Sequence, residues 1–220
     1  VEAVAKANDG RTLKPTENDT AVLFCDLRGY SRIAEKSKHN LQRLLDRVSE
    51  ALEVMTTNIV NHDGAIADFQ GDSALGFWGW PLPLAEGPLP ACRAALAMLN
   101  TFDLANAETR NSDLKGFRIG VGIACGKAIA GRIGTRHQAK VGVFGPVVNL
   151  GARLESMTKQ IGCPILVDGP TAEVVRASLA PEEGRCRRIG LIKPVGVNAP
   201  IDVNQLLPPE KRSELTDQNI

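Results

Sequence analysis

Two aspartates stand where their carboxylates could bind a metal ion. Asp26 directly follows an apolar run, residues 20–25, and Asp72 follows Gly71 between two shorter apolar runs. A carboxylate beside a buried strand is costly to bury unless a cation offsets its charge, and a glycine lets a ligand come close. On adjacent strands the pair predicts an oxygen-rich pocket suited to Mg²⁺ or Mn²⁺. The alternative is that each aspartate only begins a turn or caps a helix.

Asn149 and Arg153 form a second pair, four residues apart at the start of a predicted helix over residues 147–161. They therefore share one helix face. A helix N-terminus that carries an amide and a guanidinium on one side is suited to phosphate oxygens. The spacing leaves open the alternative that Asn149 caps the helix and Arg153 is a surface residue.

The elements that must position these residues alternate between helix and strand patterns. One apolar stripe predicts a long helix that begins near Leu41 and stops before His62. Paired apolar runs predict two hairpins, the second of which turns at Cys125 and Gly126. The predicted strands are 20–25, 65–69, 73–77, 118–124, 127–131, 141–144, 164–167, 187–192 and 201–206, with further helices over 91–102 and 147–161. Because some neighbours are hairpins, the pattern favours an α+β sandwich with a mixed or antiparallel sheet.

The bulk composition narrows the class of protein. A length of 220 residues fits one domain, and a net charge of +1 gives no large field that would attract nucleic acid or anionic lipid. No apolar run reaches the roughly 18 residues that a membrane span needs. The five cysteines are an odd number without a C-x-x-C pair, which favours a reducing compartment over a disulfide scaffold or a zinc site. We expect a soluble, cytoplasmic domain without membrane contact.

Four motifs in order along residues 20–206 resemble the catalytic domain of class III adenylyl and guanylyl (nucleotidyl) cyclases. Segment 23–31, LFCDLRGYS, resembles the first metal motif of that family, and segment 69–77, FQGDSALGF, resembles the second. Segment 144–155, FGPVVNLGARLE, resembles its Asn/Arg motif, and the glycine-rich segment 120–134 lies between them as in the family. The resemblance implies a ferredoxin-like α/β sandwich. It places the catalytic domain at residues 19–206, after a linker at 1–18 and before a loose tail at 207–220.

The resemblance also implies a reaction and roles for the residues singled out. Asp26, Asp72 and the backbone carbonyl of Leu27 would hold two divalent ions, Mg²⁺ or Mn²⁺. The substrate would be ATP or GTP, cyclised with release of pyrophosphate. Asn149 would position the ribose, and Arg153 would stabilise charge on the α-phosphate. In the family these groups come from opposite subunits, so we expect a homodimer with shared active sites, regulated by a further domain of a longer chain.

Three positions depart from the family pattern. Asp68 and Gly142 occupy the base-reading positions, where adenylyl cyclases usually have Lys and Asp or Thr. A carboxylate accepts from the N1–H and N2–H groups of guanine but not from adenine N1, so Asp68 favours GTP. The triphosphate-binding Lys of the family is replaced within Val195-Gly196-Val197, and Lys193 is the nearest substitute.

These departures motivate a rival hypothesis, a degenerate cyclase domain that binds nucleotide or dimerises as a regulatory module without turnover. A third hypothesis is a diguanylate-cyclase-like polymerising domain. It lacks support because the hairpin has no Gly-Gly-acidic-acidic-Phe run.

Overall fold

The computed structural model describes residues 13–107, 112–135, 137–193 and 199–209. Within them the helices are α1 (Tyr30–Lys36), α2 (Leu41–Asn61), α3 (Leu89–Ala107), α4 (Pro146–Ile161) and α5 (Gly169–Ser178). The strands are β1 (Thr16–Arg28), β2 (Ala65–Gln70), β3 (Ser73–Trp78), β4 (Arg118–Gly134), β5 (Ala139–Phe144), β6 (Ile165–Asp168), β7 (Arg185–Ile192) and β8 (Ile201–Leu207).

The strands form one mixed sheet in the order β2-β3-β1-β4-β6-β8-β7, and β5 pairs with the far end of β4. All pairings are antiparallel except the one between β4 and β6. The order of β2, β3, β1 and β4 is that of a ferredoxin-like split βαβ unit. The predicted α+β fold class is therefore confirmed.

Helices cover both faces of the sheet. On one face, Leu23 and Cys25 of β1 pack in a core with Met55 of α2 and Met98 of α3. On the other face, a second core includes side chains of β1 and α4. Successive residues of a strand point to opposite faces, so Val22, Phe24 and Asp26 all lie on the α4 side.

The predicted second hairpin is wrong. Residues 118–134 form one continuous strand, β4, which passes through Cys125 and Gly126 without turning. The reason is tertiary, because β1 pairs with β4 from Thr16↔Ala130 to Arg28↔Arg118 and holds this segment extended.

The same pairing corrects two boundaries. Residues 16–18 belong to β1 rather than to a linker, and Asp26 lies inside β1 instead of at its end. At the other terminus β8 includes Leu207, and residues 210–220 lie outside the described part of the chain. Helices α1 and α5 were not predicted from the sequence. Asp168 caps α5 by accepting a hydrogen bond from Thr171 N at 3.0 Å.

Helix α4 lies close against the sheet because glycines face it. A Cβ atom added at Gly122 of β4 would lie 2.2 Å from Glu155 N and 2.3 Å from Gly151 O. A Cβ atom at Gly151 would lie 2.9 Å from Val22 Cγ2. Side chains at these positions would push the helix outward, so the distance of α4 from β1 and β4 depends on these glycines.

We predict that Gly122→Ala destabilises the protein by about 2 kcal/mol, because overpacking against backbone cannot be relieved by a rotamer change. Gly126→Ala is the matched control on the same strand, since its Cβ would meet Val147 at 3.6 Å, an ordinary contact. Urea unfolding of both variants measures the difference. Equal free energies of unfolding would contradict the importance of this close approach.

Candidate active site

The structure brings the Asp26 and Asp72 carboxylates into one site. β1 pairs with β3 so that Asp26 is opposite Ser73, and Leu27 N donates a hydrogen bond to Asp72 O at 3.2 Å. Gly71, with a φ of 62°, makes the left-handed turn that precedes Asp72. Burial and then the charge of Asp72 raise the pKa of Asp26. Burial also raises the pKa of Asp72. The effect of the Asp72 charge on Asp26 shows that the two carboxylates lie near each other.

Both aspartates and Leu27 line a cavity of about 1030 Å³. Four basic side chains line the same cavity: Arg28, Arg32, Arg118 and Lys159. Arg28 lies within the first metal motif, but no role was predicted for it; Arg32, Arg118 and Lys159 were not predicted because each is a single basic residue on a different element. Register alone relates two of them, since Arg28 is opposite Arg118 on β4. Carboxylates next to several cations suit a metal–phosphate ligand.

The donor set fits a hard divalent cation. In the described ranges, no group of three or more His, Cys, Asp or Glu residues is placed to hold a metal. Asp26 and Asp72 supply carboxylate oxygens to the cavity, which Leu27 also lines. Mg²⁺ is commonly bound by one or two carboxylates, and waters and substrate phosphates complete its coordination.

Arg28 joins this site to α4. Its Nη1 donates to Asp26 Oδ2 at 3.1 Å, and its Nη2 donates to Thr158 Oγ1 at 2.7 Å and to Glu155 O at 3.0 Å. Nη2 also forms an ion pair with Glu155 Oε1. Burial raises the pKa of Glu155 to about 7, against the opposing charge of Arg28. No role was predicted for Arg28 or Glu155 from the sequence.

Asn149 and Arg153 lie on the other side of α4. Gly151 faces the sheet, and each of the pair is two residues away, or about 200° around the helix. Asn149 is exposed and Arg153 is half-buried. The cavity that contains Asp26 and Asp72 has neither residue in its described lining. One chain thus presents the two predicted half-sites on separate surfaces.

Asp68 of β2 forms an ion pair with Lys140 of β5. Lys140 and Gly142 are two residues apart on β5 and share a face; Gly142 is buried, and a Cβ atom there would meet only Ile133 at 4.0 Å. The ion pair joins Asp68 to the strand that carries Gly142, and it adds Lys140, a cation that was not predicted from the sequence.

Lys193 directly follows β7, at the opposite edge of the sheet from β2. β7 is four strands from β1, or roughly 19 Å at the usual strand spacing. The structure does not bring Lys193 to the aspartates of its own chain. Residues 195–197 lie outside the described ranges.

The fold matches that of the adenylyl cyclase CyaB from P. aeruginosa, with a TM-score of 0.74 and 23% identity, covering 92% of this chain and 100% of that one. The guanylyl cyclase Cya2 matches with a TM-score of 0.67 and 24% identity, covering 91% of this chain and 97% of that one. Residues 13–183 match the family model for the adenylate and guanylate cyclase catalytic domain. The chain belongs to this family.

Two adenylate cyclases are similar to this chain in sequence. Adenylate cyclase 1 of Rhizobium meliloti is 26% identical over 189 residues, which cover 86% of this chain and 27% of the relative. An adenylate cyclase of Anabaena cylindrica is 31% identical over 174 residues, which cover 76% of this chain and 32% of the relative. The chain therefore spans about a third or less of the length of these relatives.

No helix in the described residues is long and apolar enough to cross a membrane.

The raised pKa of Glu155 predicts a pH-dependent stability. The folded protein holds this proton more tightly than the unfolded chain, so the contribution of Glu155 to stability falls as pH rises from the ordinary value of 4.5 to about 7. Glu155→Gln should remove this component and flatten the profile. Urea unfolding without divalent ions, at several pH values between about 5 and 8, measures it. Parallel profiles for the two proteins would refute the assignment.

Proposed function

We propose that this chain is an active purine nucleotide cyclase that converts ATP or GTP into a 3′,5′-cyclic monophosphate and pyrophosphate. The observation that carries the proposal is that Asp26 and Asp72 line one cavity that is also lined by basic side chains. Family membership supports the same reaction class. A structural role alone does not require two half-buried carboxylates and several basic side chains in one cavity.

Asp26 and Asp72 would hold two divalent ions, with the Leu27 carbonyl as a further ligand. When bound, such ions lower the barrier to in-line attack of the ribose 3′-hydroxyl on the α-phosphate. Arg118 and Lys159 line the same cavity and would bind the phosphates of the leaving pyrophosphate. Lys193 of the second subunit is a further candidate for triphosphate binding.

Asn149 and Arg153 would act on the substrate of a second copy of the chain. They project from the side of α4 that faces away from the sheet of their own chain. The described lining of the cavity that contains Asp26 and Asp72 includes neither of them. Asn149 would orient the ribose by hydrogen bonds, and Arg153 would stabilise charge on the α-phosphate. The proposed enzyme is therefore a homodimer whose active sites lie at the interface.

Exposed apolar side chains support a self-association surface. Ile129 of β4 pairs with Phe144 of β5 and both are exposed, at 41% and 69%. Phe69, exposed at 57%, is next to Asp68, whose ion pair with Lys140 brings β2 to β5. Large apolar side chains around a polar site are typical of interfaces.

The Asp68–Lys140 pair bears on the choice of base. Asp68 alone favours GTP, because a carboxylate only accepts hydrogen bonds. Together the two side chains provide an acceptor and a donor, which can match the guanine edge (N1–H and O6) or, in the reverse order, the adenine edge (N1 and N6–H). Parallel assays with ATP and GTP and Mn²⁺ decide the substrate. No cyclic product from either would support the regulatory-module hypothesis instead.

We predict complementation between two inactive variants. Asp72→Ala should abolish activity by removing a metal ligand, and Asn149→Ala/Arg153→Ala should abolish it by removing the groups supplied to the partner. Mixing equal amounts should restore roughly a quarter of the wild-type activity, since half of the dimers contain one intact site of two. Each variant alone, at the same total concentration, is the control. A mixture as inactive as its components would contradict shared active sites.

We also predict that Asp68→Lys raises the ratio of ATP to GTP turnover by about tenfold. The ammonium group can donate a hydrogen bond to adenine N1, and the substitution removes the carboxylate that would accept one from guanine N1–H. Asp19→Lys, which changes another exposed ion-paired aspartate, is the matched control. The measurement is kcat/KM for each nucleotide. An unchanged ratio would exclude Asp68 from base recognition.

A further inference from the structure

Arg28 occupies a position between two carboxylates of different kinds. On one side is Asp26, the proposed metal ligand, and on the other is Glu155 of α4. Glu155 O and Thr158 Oγ1 accept further hydrogen bonds from Nη2. The side chain of Arg28 is 25% exposed. The Arg28 guanidinium is therefore fixed in position by contacts with β1 and α4.

The sheet makes room for this guanidinium. A Cβ atom at Gly120 of β4 would lie 2.5 Å from Arg28 Nη2 and 2.6 Å from Arg28 Nε. It would also lie 2.5 Å from Thr158 Oγ1. The guanidinium therefore lies over a glycine, enclosed by β1, β4 and α4, in space that any other residue at position 120 would fill.

The division of donors matters for Asp26. Arg28 reaches Asp26 through Nη1 and uses Oδ2, whereas Nη2 is committed to α4. A guanidinium without other partners pairs with a carboxylate through two parallel hydrogen bonds. That arrangement would use both oxygens of Asp26 and would compete with a metal ion. The acceptors on α4 prevent it by holding Nη2.

We propose that Arg28 is a positioning residue whose guanidinium, held by Glu155 and Thr158, orients Asp26 while leaving one carboxylate oxygen for a divalent cation. The inference rests on the proposed function, because it takes Asp26 to be a metal ligand. It assigns Glu155 a role that acts through Arg28 and not through the metal. The position of α4 and the availability of an Asp26 oxygen for a metal ion are thereby linked through the side chain of Arg28.

The test is a double-mutant cycle on Mn²⁺ affinity, measured without nucleotide by the loss of the free-ion electron paramagnetic resonance signal. Glu155→Ala should weaken Mn²⁺ binding about tenfold in the wild-type background, because the freed guanidinium pairs with both oxygens of Asp26. In the Arg28→Ala background the same substitution should have no effect. Double-mutant cycles isolate a coupling of this kind.

A simple loss of negative charge gives a different result. If Glu155 attracted the cation directly, Glu155→Ala would weaken Mn²⁺ binding equally in both backgrounds, and this outcome overturns the proposal. Unchanged affinity in the wild-type background overturns it as well. Thr158→Val repeats the cycle without a change of charge and serves if Glu155→Ala does not fold. It should weaken binding about threefold only when Arg28 is present.

Two controls separate this inference from the proposed function and from general destabilisation. Asp26→Asn/Asp72→Asn should abolish Mn²⁺ binding; wild-type protein that binds no Mn²⁺ would refute the metal assignment itself. Arg93→Ala removes another arginine that joins two carboxylates, Glu86 and Glu183, outside the cavity lining. It should leave Mn²⁺ affinity unchanged.

Discussion

The antiparallel pairing of β1 with β3 brings Asp26 and Asp72 to one cavity, and the rest of the site depends on this constraint. Burial raises the pKa of both carboxyls, and the charge of Asp72 raises the pKa of Asp26 further. The charge of Arg28 acts in the opposite direction on both, and its guanidinium is shared between Asp26 and Glu155. Two partly buried carboxylates beside several basic side chains are a physical reason for the site to take up a metal ion together with phosphate.

Helix α4 carries residues of the proposed site on two sides, and its distance from the sheet affects both. Its inner side packs on the glycines of β4 and contacts Arg28, while its outer side carries Asn149 and Arg153. A shift of the helix away from β4 would loosen the guanidinium contact and would also move Asn149 and Arg153, which we propose act on a second subunit. In the proposed dimer this helix would connect the two parts of the active site without a long chain of contacts between them.

The two halves of the sheet carry different residues of the proposed site. The ferredoxin-like part, β2-β3-β1-β4, carries Asp26, Asp72 and Asp68. β5 pairs with the far end of β4 and carries Lys140 and Gly142. From there Lys140 forms its ion pair with Asp68 of β2. The other half, β6-β8-β7, extends the sheet and places Lys193 at its far edge. A residue so far from the aspartates of its own chain can serve an active site only across an interface.

The sequence by itself determined the elements whose signals are local. The apolar stripe of α2, the β2–β3 hairpin around Gly71 and the start of α4 at Pro146 follow from periodicity and turn chemistry, and the motif order identified the family. Tertiary structure decided the rest. Cys125 and Gly126 look like a turn, yet pairing with β1 keeps β4 extended. The contacts of Arg28, Glu155, Arg118 and Lys140 could not be predicted locally, because the role of a charged residue is set by partners distant in the chain, and only folding brings these together.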